Sequence, residues 1–126
     1  MLAAVALASS FWFLLDVLGA VSHRAPSFRV ADFESRFANF PKPGPENVYG
    51  YVSDNRPNDP ASLSEFHLTQ YTLAPATIKA SANEQLVIVN YHGKSLDFNF
   101  LRAAHLTPYQ DFGNGIALCR PAAARR

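Results

Sequence analysis

Gln85-Leu86-Val87-Ile88-Val89-Asn90-Tyr91 is the most apolar run in the chain beyond residue 22. It is short, rich in β-branched residues and without helical period, so it reads as a strand covered on both faces, the centre of a sheet. Ser81-Ala82-Asn83-Glu84 is a polar turn before it, and Ala76 to Ala80 forms a further strand on the other side of that turn. Upstream again, Pro75 stops a helix that the sequence predicts to start at Ser62, where Ser62-Leu63-Ser64-Glu65 fits a capping box. Leu63, Phe66, His67, Gln70, Tyr71 and Ala74 share one face of this helix and are expected to be its packed side.

Asn47 to Ser53 (NVYGYVS) alternates and is rich in β-formers, hence another strand, in which Gly50 marks a bulge or the close approach of another backbone. Asp54 to Pro60 is a loop by composition. On the C-terminal side, Asp97 to Leu106 is helix-compatible, with Phe98, Leu101 and His105 on one side. Tyr109 to Gly113 and Ile116 to Arg120 flank Asn114-Gly115, the dipeptide of a tight hairpin turn. Between Ser27 and Phe40, Phe28, Phe33, Phe37 and Phe40 make an amphipathic stripe, for which core packing is favoured over contact with a bilayer surface. Pro41-Lys42-Pro43-Gly44-Pro45 ends that helix as a stiff connector.

From Leu2 to Val21 the chain is almost wholly apolar, and a helix of this length spans a hydrocarbon core. Asp16 inside it is tolerable at the headgroup level or facing a partner helix, which makes it a candidate contact with a membrane protein. A cleaved secretory signal ending near Ala20-Val21-Ser22 competes with a retained anchor, but the basic segment that should precede it is missing. Orientation is open: His23, Arg24 and Arg29 after the span favour a cytoplasmic domain, whereas the secretory reading favours an extracytoplasmic one. The expected organisation is a transmembrane anchor or uncleaved signal over 1–22, an amphipathic helix and proline-rich connector over 23–45, a small α/β domain over 46–120, and a disordered basic tail over 121–126. The fold class expected is α/β, a small mixed sheet of four or five strands with flanking helices, preceded by one transmembrane helix.

A formal net charge of +1 over 126 residues excludes the sustained positive field that gathers nucleic acid. The single cysteine, Cys119, can form neither an internal disulfide nor a thiolate cage, and in a strand it reads as a small core residue. His23, His67, His92 and His105 lack zinc spacing, so no metal or other cofactor is expected. His67 and His105 read as partly buried helix residues, and His92 as a strand-end turn residue. Asp111-Phe112-Gly113 spells a kinase triplet but reads as a strand entering the Asn-Gly turn, since no other kinase element is present. No nucleophile elbow occurs, so no catalytic residue is assigned. The best ligand candidates are Asp54, Asn55, Asn58 and Asp59, which an open α/β sheet would bring together beyond a strand's carboxyl end, beside the amides of the Ser62 helix. The competing and favoured explanation is that Asx residues simply suit turns and caps.

Gly50-Tyr51-Val52-Ser53-Asp54, Leu68 to Pro75 and Asp111 to Gly115 resemble a group of uncharacterised bacterial membrane-anchored proteins, whose small domain recurs at the ends of multi-span membrane proteins similar to glycosyltransferases. The resemblance covers roughly Phe33 to Arg120 and transfers no catalytic residue. It implies a bacterial, extracytoplasmic accessory domain. The expected role is a non-catalytic accessory or interaction domain of a membrane or envelope assembly, with membrane lipid and a membrane protein as partners. The alternative is a small envelope enzyme, either a hydrolase or a glycosyltransferase-associated domain.

Overall fold

The computed structural model describes residues 30–123, so the apolar segment with Asp16, as well as Phe28, lies outside the described residues. The elements run α1 (Val30–Ser35), β1 (Val48–Ser53), α2 (Pro60–Thr72), β2 (Thr77–Lys79), β3 (Val87–Asn90), α3 (Phe98–Ala103), β4 (Leu106–Asp111) and β5 (Ile116–Pro121). Five strands form one mixed sheet in the order β2-β1-β3-β5-β4. β1 is parallel to β2 and β3, whereas β5 is antiparallel to both β3 and β4. This is the expected small α/β domain, with three helices and the 85–91 run at the sheet's centre. Among the described residues no helix is long and apolar enough to cross a membrane.

All four residues of β3 are buried, because both faces of the sheet are covered. On one face Ile88, Tyr49, Tyr51, Ile78, Ile116 and Leu118 meet Phe33, Phe37 and Phe40. Edge and tilted ring contacts join this side, Phe40 to Tyr49 at 5.8 Å and Phe40 to Phe112 at 4.9 Å between centroids. The Phe stripe is therefore core, as favoured, although only Val30–Ser35 of it is helical and Phe37 and Phe40 follow on tight turns. On the other face Val87, Val89, Ala117 and Cys119 pack with Leu101 of α3 and with Leu106. Cys119 is fully buried there, and burial pushes its thiol up to about 11, so it is the inert core residue expected.

Two expectations about helices are corrected. α2 starts at Pro60, with Asp59 as the cap: its carboxylate accepts from the Ala61 amide, and proline occupies the first turn, where its missing donor costs nothing. The Ser62–Glu65 capping box does not form, since Glu65 turns inward. The packed face is also different, because Leu63 and Tyr71 are 60% and 68% exposed while Glu65 and Thr69 are buried. His67 and His105 are likewise exposed rather than partly buried. At the hairpin Asn114 (φ 56°) and Gly115 (φ 77°) take the positive angles that an Asn-Gly turn requires, and the Ile116 amide closes it on the Gly113 carbonyl.

The β2–β3 connection crosses β1. Tyr51 donates its amide to Ser81 on the β2 side, and Gly50 donates to Leu86 on the β3 side. A side chain at residue 50 would collide with the Ser81 carbonyl oxygen, so the glycine marks a close backbone approach.

Candidate functional site

Short β2 shapes one end of the sheet. Its register ends at Lys79 opposite Gly50, three residues before β1 does, so Val52 and Ser53 have no strand beside them on that edge. The notch opens into a cleft of about 700 Å³, walled by Ser53, Asn55 and the 57–60 segment, by Ser62, Leu63 and Phe66 of α2, and by Ala80 to Ala82. It lies at the carboxyl end of a parallel strand, the position where open α/β sheets bind ligands. Aromatic and aliphatic surface alternates in it with amide and hydroxyl groups. Neither lysine nor arginine lines it, and its one carboxylate, Asp59, is occupied as a helix cap.

Beside the cleft, on the β3 side of β1, lies a polar cluster that the sequence reading did not assemble. Asn90 points from the centre of the sheet toward α2, and Nδ2 donates to Glu65 Oε2 at 2.8 Å and to the Tyr51 hydroxyl at 2.9 Å. Glu65 is 4% exposed and Asn90 fully buried, so the bond between them meets part of what burial demands of each. Burial raises the Tyr51 phenol above its usual range, and hydrogen bonds with Asn90, Thr69 and Ser53 offset only part of that. Asn90 Oδ1 has no hydrogen-bond partner among the described residues.

His92 closes the cluster. Its Nε2 lies 2.9 Å from Glu65 Oε1, its Nδ1 pairs with Asp54 Oδ1, and its backbone N–H donates to Asp54 Oδ2 at 3.2 Å. Partial burial works against the imidazolium, but the hydrogen bonds and charges of Asp54 and Glu65 outweigh it and raise the pKa above the usual histidine value. Asn55 ties the cluster to the cleft: its side chain donates to Glu65 Oε2 at 3.2 Å, its amide to Ser53 Oγ at 3.1 Å, and it lines the cleft wall.

The four sequence candidates therefore separate. Asp54 belongs to the histidine cluster, Asn55 stands at the junction, Asn58 lines the cleft in a left-handed conformation (φ 70°), and Asp59 lines it while capping α2. Asp16, the candidate membrane contact, is outside the described residues. Glu65, Asn90 and His92 were missed. Asn90 carried a usable signal, because a polar residue in a strand covered on both faces must find buried partners. Among the described residues no group of three or more His, Cys, Asp or Glu is arranged to hold a metal ion. Compared with models of protein families, with curated proteins and with solved structures, the chain matches none.

Proposed function

We propose that the domain is a non-catalytic binding module that takes a small, uncharged, partly apolar ligand in the cleft beside β1, as an accessory part of a membrane or envelope assembly. The cleft is the observation that carries this reading. Its Tyr51, Phe66 and Leu63 surfaces suit an apolar face, its Asn55, Asn58, Ser53 and Ser62 groups suit hydroxyl or amide partners, and the missing cations disfavour phosphate or carboxylate ligands. The membrane location is supported by the apolar Leu2–Val21 sequence and by the resemblance to membrane-anchored accessory domains.

The Asp54–His92–Glu65 trio is the one feature that speaks for a small enzyme instead, since a histidine with raised pKa beside a cleft is a frequent acid–base device. Both ring nitrogens are already occupied by carboxylates, however, which leaves none to exchange a proton with a substrate. The cluster suits holding better than reacting.

The test is an NMR screen of the isotope-labelled full chain against neutral sugars, polyols and amides. Shift changes gathered on residues 53–62 and 80–82, abolished by Ser62→Phe, support the module; a panel that never perturbs the cleft rules it out. Co-purification of membrane partners should weaken in Asp16→Leu, and unchanged recovery would remove the proposed role of that residue.

A further inference from the structure

We propose that His92 is a proton-operated latch on the cleft wall: the imidazolium fastens the start of the β1–α2 loop to α2, and loss of its proton loosens that loop and weakens ligand binding. The inference rests on the cleft being the ligand site. One ring faces a carboxylate through each nitrogen, Asp54 at Nδ1 and Glu65 at Nε2, and only the protonated ring has an N–H for both. A neutral ring must present a lone pair to one of them.

Which side opens follows from burial. Glu65 is nearly inaccessible and loses most by lacking a donor, so the remaining ring proton stays on Nε2. Asp54 is nearer the surface, keeps the His92 backbone amide, and can take water in place of the ring. Asp54 leads directly into Asn55, Asn58 and Asp59 of the cleft wall, so losing the ring contact slackens that wall at its root while the backbone bonds of Asp54 remain.

The charged surroundings of His92 are few. Asp54 reaches it from the end of β1 and Glu65 from α2, and both favour the imidazolium. Arg36, after α1, donates to the Tyr91 carbonyl at 3.0 Å and to the Asn114 carbonyl at 3.1 Å, anchoring the backbone before His92 without meeting its ring. Lys94 is exposed on the loop that follows.

The experiment is an NMR titration of the full chain, without ligand, from about pH 5 to 9, following the His92 ring, the amides of residues 54–59 and their hydrogen exchange corrected for intrinsic rate. The ring should titrate above about 6.5. The loop amides should share its midpoint, and their protection should fall by no more than about fivefold across it, the ceiling for a contact worth less than about 1 kcal/mol at a partly exposed ring. His92→Gln should abolish both responses. Loop amides indifferent to the ring's midpoint, or a pH response that survives in His92→Gln, would overturn the latch. Should that variant not fold, the shared midpoint in the unsubstituted chain decides alone. Because no ligand enters this titration, failure of the cleft reading appears separately, as an empty neutral-ligand screen beside an intact latch.

Discussion

The sheet divides at β3 into a parallel half, β2-β1-β3, and an antiparallel half, β3-β5-β4, and the two are completed by different chemistry. In the antiparallel half every buried residue of β5 is apolar or cysteine, and a tight Asn-Gly turn sets the register. The parallel half buries a carboxylate and an amide beneath α2 and leaves a notch where β2 stops short. Apolar burial is indifferent to register of charge and to pH, whereas a buried polar cluster holds only while every partner is present. The half that carries the cleft is thus the half whose stability is conditional.

The contrast can be broken by substitution. Ile116→Ala, in the fully buried start of β5, should cost about 4 kcal/mol in chemical denaturation, equally at about pH 6 and pH 8.5. Glu65→Ala should cost about 3 kcal/mol, because it leaves one buried Asn90 N–H without its acceptor and removes one partner of His92. The same measurement should show that loss shrinking as pH rises, and a pH-independent loss would erase the distinction between the halves. Gly115→Ala should cost about 2 kcal/mol, since a methyl group there meets both an unfavourable backbone angle and the Tyr91 carbonyl. Asp59→Ala should cost about 1 kcal/mol through loss of the α2 cap, read as a lower thermal midpoint.

The smallest effect is the pH dependence of the intact chain. The folded pKa of His92 is raised, so its contribution is complete below the unfolded value of about 6.5 and is lost as pH rises through the folded pKa. With its side chain 35% exposed, solvent screening holds that contribution to less than about 1 kcal/mol. The stability of His92→Gln should be flat over the same window, and an equal slope in that variant would assign the pH dependence elsewhere.

Regions whose side chains followed simple patterns were legible from sequence: the strand within 85–91, the Asn-Gly turn and the core role of Phe33, Phe37 and Phe40 agree with the structure, whereas the helix expected to carry those rings is confined to Val30–Ser35. α2 was misread because its buried stripe carries Glu65 and Thr69, while Leu63 and Tyr71 face outward, so hydrophobicity pointed to the wrong side. The loop candidates were half of the site. Asp54 and Asn55 could be suspected from composition, but Glu65 and His92 join them across 11 and 38 residues from Asp54, and only the parallel pairing of β1 with β3 under α2 brings them together. Local pattern carries no information about a contact made by topology.

Gly50 bears on how this domain can vary. One chain segment lies across the strand at that residue, and the same segment forms a wall of the cleft through Ala80 to Ala82. Any side chain there would lift the strap and reshape the cleft at once. A substitution at residues 80–82 would alter the wall alone, whereas one at residue 50 would displace strand and wall together: the shape of the cleft is set from behind its own lining.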